Sequence, residues 1–419
     1  MPGKKLKIAP AESKSVDEVV AQFMTGVGAK KGFKENIEYI KQREQQFVKF
    51  TAAGKSKIKD PQNQLVVLRR WNSFTPILPS KKGDRGKGGG YFLRFRNVGI
   101  VIDPGFNFID SFLQAGFKLD DIDYVFISHA HNDHTVELEG LFSLLYKRNE
   151  RSRRKPKKIK LYMNLGSFKK FSSYFDLSNP AREFYVQDIV LLNRHQLVKV
   201  TDSLEVFTTQ AQHHEMVTKA YALGFTFILR LKNGRKRVIK FTCDTGWNKA
   251  VEEENTYQGE AFGVSDIDIL VAHLGTIKER ELKYDAAKSL KENERFLYKN
   301  HLGLIGTLAA IHTWRPGVVL LSEFGEELDA IRHKIAKELQ KFLNIKVFAT
   351  DINFRMDIDT LNVMCFKTKK FWEHARIQTV YNGGGQLYFL NKDKLSAREM
   401  KELKTGSGAG IHVFSQLTG

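Results

Sequence analysis

The chain has 419 residues, 42% of them apolar and 27% charged, which is enough for a large core in one big domain with appendages or in two domains. Lys and Arg number 67 against 47 Asp and Glu, and the formal charge of +20 concentrates polyanions near a surface. No stretch approaches the roughly 18 consecutive apolar residues of a membrane helix, and the basic MPGKKLKIAPAESKS lacks the apolar core of a signal peptide. The two cysteines, Cys243 and Cys365, are too few for a disulfide framework and read as neither paired nor nucleophilic, so a cytoplasmic protein without membrane partners is expected.

In chain order, residues 16 to 50 carry apolar residues at helical spacing among charges and predict two helices broken near Gly26 to Gly28, within a helical extension over 1–60. QLVVLRRW predicts a strand, and after the turn-rich SKKGDRGKGGG the segments YFLRFR and VGIVID predict a hairpin. SFLQAGF reads as a short helix, YVFISHAH as a buried strand running into a histidine cluster, and VELEGLFSLLYKRN as an amphipathic helix. Strands recur at KIKLYM, DIVLLN, SLEVFTT, ALGFTFILRL and RKRVIKFTC. Then IDILVAHLG, GVVLLSEFG and IKVFATD predict strands alternating with helices over GLIGTLAAIHTW and ELDAIRHKIAKELQKFL. The pattern fits an α+β fold layered α/β/β/α over 61–365, with a C-terminal extension over 366–419 that has no assigned structure and no internal repeat.

The chemistry is concentrated in ISHAHNDHT, where His129, His131, Asp133 and His134 fall within six residues at the end of an apolar strand. Residues two apart in an extended segment share a side, so His129 and His131 can grip one metal ion, and the turn that follows can send Asp133 and His134 to a second. Four ligands leave two ions short of a full shell; His213 or His214 in TTQAQHHEM can complete the first, and Asp244 in VIKFTCDTG can bridge. Taken singly, these would be loop histidines and a capping aspartate; the cluster is what gives them weight. The run KRNERSRRKPKKIK over 147–160 carries nine basic residues and one acid, Glu150. Such runs are ordinarily solvated loops, but this one follows closely on the histidine cluster in sequence, which favours contact with RNA or DNA.

The order HAHNDH, AQHH, CDTG, with Asp103 at a strand end in the earlier VIDPG, resembles the metallo-β-lactamase-fold superfamily of metallohydrolases over roughly Leu65 to Asp351. The resemblance implies a four-layered α/β/β/α metallo-β-lactamase-type sandwich holding two divalent ions, zinc with manganese as the alternative. It places His129, His131 and His213 on one ion, Asp133 and His134 on the other, and Asp244 between them; His213 is preferred to His214 because AQH is similar to the third histidine motif of several members. The last ligand departs from the pattern: where many members have a histidine after a late strand, VVLLSEFGEEL has Glu323, and a carboxylate suits manganese or magnesium better than imidazole does. His273 or His301 is the other candidate for that place. The arrangement resembles ribonuclease Z and related phosphodiesterases, which have a histidine before a late helix near the scissile phosphate, and His301 in KNHLGLIG is similar. Leu274 in HLGT stands where ribonuclease Z has a glutamate, a second departure.

The function expected is therefore hydrolysis with a metal-bridging hydroxide as nucleophile, Asp133 orienting it, His301 or His273 protonating the leaving oxygen, and Asp103 accepting a hydrogen bond from a ligand histidine. A phosphodiester substrate, as for a nuclease or a nucleotide phosphodiesterase, agrees with the net charge. A lactone, thioester or amide hydrolase is the enzymatic alternative, and a nucleic-acid-binding protein with a degenerate metal site is the non-enzymatic one. A homo-oligomer stays open.

Overall fold

The computed structural model describes residues 15–50, 54–56, 63–72, 88–150, 155–176, 178–215, 222–253, 267–365, 377–382 and 385–390. Residues 151–154 of the basic run, most of SKKGDRGKGGG and the KTGSGAG of the tail lie outside them. The chain divides after Ala52 into two units. In the first, α1 (Val16–Thr25) and α2 (Val27–Phe50) break at Gly26, as the glycines predict. Ser15 starts α1 with a capping box: its Oγ accepts from Glu18 N while Ser15 N donates to the Glu18 carboxylate. Phe23 packs edge-on against Phe33.

In the second unit, alternating and continuous apolar runs build two sheets. The strands are β1 (Gln64–Arg69), β2 (Gly88–Phe95), β3 (Val98–Ile102), β4 (Tyr124–Ile127), β5 (Ile159–Met163), β6 (Val186–Leu191), β7 (Leu197–Thr201), β8 (Leu204–Ala211), β9 (Ala222–Arg230), β10 (Lys236–Phe241), β11 (Ile269–Gly275), β12 (Val318–Phe324), β13 (Lys346–Ala349), β14 (Phe354–Asp357) and β15 (Val363–Cys365). One sheet has the order β15-β14-β1-β2-β3-β4-β5-β6 and the other β13-β12-β11-β10-β9-β8-β7. A separate hairpin joins β16 (Ile377–Asn382) to β17 (Gly385–Leu390), within the tail left unassigned by the sequence.

Side chains alternate across each strand, and that alternation makes the layers. Leu65, Val67, Tyr91, Leu93 and Phe126 face Val206, Phe225, Phe227, Ile239 and Phe241 of the other sheet and form the central core. Their neighbours Val66, Leu68, Phe92, Val101, Val125 and Ile127 point outward against α3 (Phe108–Gln114) and, after the single turn α4 (Asn132–Thr135), α5 (Leu138–Glu150). On the far side Leu270, Ala272, Val319, Leu321 and Val347 are covered, beyond the short α6 (Leu165–Lys170), by α7 (Gly303–Trp314) and α8 (Arg332–Leu343). This is the α/β/β/α sandwich expected. Burying each of these Phe, Leu or Ile side chains contributes roughly 1.5–3 kcal/mol.

Three details differ from the reading of the sequence. β7 and the short β14 and β15 were not anticipated; β7 is a half-exposed edge strand, LVKVT, too short to announce itself by pattern. The helix expected from Glu327 begins only at Arg332, because Glu326–Leu328 first forms a tight 3₁₀ turn on Gly325. β4 stops at Ile127, so His129 and His131 stand on the loop after it and His134 in α4, rather than in extended strand.

Candidate metal centre

The strand directions bring the predicted residues to one edge. β3, β4 and β5 run parallel, as do β10, β11 and β12, and β8 regains the direction of β10 through two antiparallel reversals via β9. Asp103 follows β3, His129 to His134 follow β4, His213 follows β8, Asp244 follows β10, and His273 and Glu323 lie near the ends of β11 and β12. Carboxyl-terminal strand ends are where α/β sheets place ligands. Asp103 (φ 49°), Cys243 beside Asp244 (φ 51°) and Glu323 (φ 54°) adopt left-handed backbone conformations that turn carboxylates into the site, at a cost of about 1–3 kcal/mol each.

Two groups of donors form. In the first, His131 Nδ1 lies 3.0 Å from His129 Nε2 and 3.1 Å from His213 Nε2. In the second, His134 Nε2 lies 3.2 Å from Asp133 Oδ2, 3.3 Å from Asp244 Oδ2 and 4.0 Å from Glu323 Oε2. Asp244 Oδ2 is also 3.8 Å from both His129 Nε2 and His213 Nε2, so it stands between the groups. His214 is exposed and outside both.

The outer atoms of the imidazoles fix their tautomers. Ser128 Oγ donates to Asp103 Oδ2 at 2.7 Å, so at 2.9 Å from His129 Nδ1 it acts as acceptor and leaves the His129 Nε2 lone pair facing inward. His213 Nδ1 donates to Asn300 O at 3.0 Å, leaving its Nε2 inward in the same way. Two inward lone pairs converging on His131 Nδ1 form a nitrogen cluster that could hold a cation. Three nitrogens around an ion at Zn–N distances of 2.0–2.1 Å would stand roughly 3.3 Å apart in a tetrahedron, close to the spacing found. His134 Nε2, His131 Nε2, His301 Nδ1 and both Glu323 carboxylate oxygens are buried without a well-aligned hydrogen bond. The donor set thus fits metal ions on its own geometry.

Electrostatics agree. Burial pushes His129 well below the usual imidazole range, lowers His131 and takes His213 down to about 4, which favours the neutral imidazoles that metal binding would require. His134 goes the other way: burial opposes charge, but Asp133 and Asp244 raise it well above its ordinary value, so without metal a proton occupies the place where a cation is wanted. Against its own burial, Asp133 is held at about 2 by His134 and Arg69.

A family model described as a β-lactamase superfamily domain matches residues 99–322, more than half of the chain. The chain belongs to this superfamily. Among solved structures, the metallo-β-lactamase fold protein YhfI from Bacillus subtilis is 12% identical over 70% of this chain and 98% of its own, with a TM-score of 0.49. Human tRNase Z, short form, is 16% identical over 70% and 99%, with a TM-score of 0.44, and yeast PDE1 is 12% identical over 65% and 94%, with a TM-score of 0.45. No curated protein matches the chain. The superfamily is one of metal-dependent hydrolases, and this member has a histidine and carboxylate cluster able to hold metal. Among the described residues no helix is long and apolar enough to cross a membrane.

Around the donors, this superfamily member carries supports, of which the sequence had singled out His273 but not Arg69, Tyr91, Lys170 or Glu215. Arg69 of β1, fully buried, lies 2.5 Å from Glu323 Oε1 and 3.1 Å from Asp133 Oδ2. His273, also fully buried, has Nδ1 at 3.1 Å from Asp244 Oδ1 and 2.8 Å from Glu323 Oε1, and Nε2 at 2.9 Å from the Tyr91 hydroxyl, which donates to Ser322 Oγ. Glu215 accepts from Ala130 N at 2.7 Å, and Lys170 Nζ ties Ala130 O, Asn132 Oδ1 and Thr135 Oγ1, fixing the loop that carries the histidines. A signal existed for Arg69 alone: an arginine inside the apolar run QLVVLRRW. His301 Nδ1 is 3.5 Å from Asp244 Oδ1. Gly275 (φ +67°) lets it come so near, since a Cβ there would lie 2.7 Å from His301 Cβ.

The basic run is elsewhere. Within its described parts, 147–150 and 155–160, the stretch Lys155 to Lys158 borders an open cavity of about 670 Å³ with Lys55, Asp123 and Gln187, at the start of β4 and β5. β4 begins at this cavity, whereas His129 follows its opposite end. Nearness in sequence therefore does not carry over to space. Lys157 and Lys55 are both paired with Asp123, at 2.5 and 2.6 Å.

Proposed function

We propose that the chain is a two-ion metallohydrolase that cleaves phosphodiesters of nucleic acid or of a nucleotide-derived compound. His301 carries this choice: it is an imidazole beside Asp244 whose Nδ1 has no hydrogen-bond partner, and a poor alkoxide leaving group needs the proton such a group can give. A thioester, which releases a thiolate, needs that acid less, and against a lactone or an amide the choice rests on the formal charge of +20, which favours a polyanionic substrate.

In this reading His129, His131 and His213 would hold one ion and Asp133, His134 and Glu323 the other, with Asp244 within reach of both groups. Ions bound there, zinc or manganese, supply Lewis acidity and bring a water's pKa toward neutrality. The chain's own residues do the rest. Asp133 orients the attacking water, and His301 gives the proton to the leaving oxygen. His273 is closed off from solvent and acts as a positioning residue, gripping the outer oxygens of Asp244 and Glu323 while Tyr91 fixes its ring. Asp103 sets the tautomer of His134 directly and that of His129 through Ser128.

A remote basic segment fits a long polyanion anchored away from the scissile bond. Replacing Lys155 and Lys158 with Gln then raises KM for RNA or single-stranded DNA, more so at low salt, and leaves kcat within about twofold. The decisive assay offers bis(p-nitrophenyl) phosphate, a lactone and a thioester to the zinc- or manganese-loaded protein and to Asp133→Ala. Metal-dependent phosphodiester cleavage lost in the variant supports the proposal; turnover of the acyl substrates alone overturns it, and no turnover of any favours a nucleic-acid-binding protein.

A further inference from the structure

The two donor groups differ in one respect that the hydrolase reading leaves unused. Arg69 donates from Nη2 to Asp133 O at 2.8 Å and Asp133 Oδ2 at 3.1 Å, places Nη1 2.5 Å from Glu323 Oε1, and comes within 3.4 Å of His134 Nδ1. Three of the four donors of the second group therefore touch one guanidinium, and none of the three histidines of the first group does. A guanidinium cannot be deprotonated in a protein, so this charge is permanent.

Glu323 explains why it is there. A carboxylate in the place of a neutral imidazole adds a buried negative charge, and a buried charge without a partner costs several kcal/mol. Arg69, together with His273 Nδ1 at 2.8 Å from the same oxygen, offsets the Glu323 charge in the metal-free chain. An ion entering the second group then meets a fixed positive charge and must share Asp133 and Glu323 with it. An ion entering the first group meets neutral imidazoles and the Asp244 carboxylate alone.

Resting on the two-ion reading, we propose that Arg69 is a built-in counter-ion that makes the centre unequal: the three-histidine site holds its ion permanently, and the carboxylate site holds its ion weakly and exchangeably. The second ion is then a regulator, loaded according to the free metal concentration.

The test is calorimetric zinc titration of the metal-stripped full-length chain, with elemental analysis after gel filtration. Two classes of site separated by at least about a hundredfold, with one equivalent retained on the column, are expected. His213→Ala removes the tight class and Glu323→Gln the weak one. Arg69→Met tightens the weak class by about tenfold or more, and Arg69→Lys, which keeps the charge, leaves it within about threefold. Two equally tight ions in the wild type overturn the proposal, as does a second affinity unchanged or lower in Arg69→Met. Should Arg69→Met fail to fold, Arg69→Gln, which removes the charge but keeps a hydrogen-bond donor, takes its place, and a second affinity unchanged or lower there overturns the proposal. Absence of any bound zinc would instead overturn the two-ion reading beneath it.

Discussion

Replacing Asp103 with asparagine tests how the site is braced. The carboxylate is fully buried; Oδ1 accepts from Ser128 N at 2.7 Å, while Oδ2 accepts from Ser128 Oγ at 2.7 Å and faces His134 Nδ1 at 3.0 Å. An amide has one acceptor oxygen. If it keeps the backbone bond, its NH₂ confronts two donors, the Ser128 hydroxyl and the His134 Nδ1–H. Two hydrogen bonds to a charged group at about 1.5–3 kcal/mol each are lost. Part is offset because the Ser128 hydroxyl can rotate and a neutral amide is less costly to bury, which leaves about 2–4 kcal/mol. Once Ser128 turns, His129 loses its tautomer lock as well, so zinc affinity should fall by about 10–100-fold. Urea unfolding of the metal-stripped protein and zinc calorimetry measure the two effects. A stability change below about 1 kcal/mol together with unaltered zinc affinity would refute the bracing argument.

Gly275→Ala should push His301 out of place, lowering kcat on a phosphodiester by about tenfold or more while zinc stoichiometry stays at the wild-type value; unchanged kcat removes His301 from the mechanism. In the metal-stripped protein burial takes His213 down to about 4, whereas an unfolded histidine titrates near 6.5. The unfolded chain binds the extra proton, so this residue's contribution is complete above pH of about 6.5 and is lost as pH falls to 4. Wild type should therefore lose stability relative to His213→Gln across that window, and parallel acid profiles would contradict it. Phe126 stacks on Tyr162 at 4.4 Å and meets Phe225 and Phe227 edge-on across the sandwich. Phe126→Ala should cost about 3–5 kcal/mol in urea unfolding, and a loss under about 1.5 kcal/mol would show that the sheets do not depend on this contact.

The legible parts of the sequence were those with strong local patterns. Buried strands such as YVFI and ILVAHLG declare themselves by apolar runs with turn residues beyond, and HAHNDH by a density of ligand types that packing does not need. β7 was not legible, because an edge strand half in solvent carries a mixed pattern that only its pairing with β8 makes a strand. The contacts of Arg69, Tyr91 and Glu215 were hidden for a different reason: each of these residues acts on one at least 64 positions away in the chain, Arg69 on Asp133 and Glu323, Tyr91 on His273, and Glu215 on Ala130. Sequence spacing carries no trace of such contacts, since they arise only when two sheets close on each other. The basic run shows the converse, a neighbour in sequence that the direction of β4 and β5 sends to the other end of the sheet.

The most direct measurement is anomalous diffraction at the zinc edge from crystals grown with excess zinc. Two peaks are predicted, one among His129, His131 and His213 and one among Asp133, His134, Asp244 and Glu323. No peak at either group, or zinc bound only elsewhere on the surface, would contradict the account.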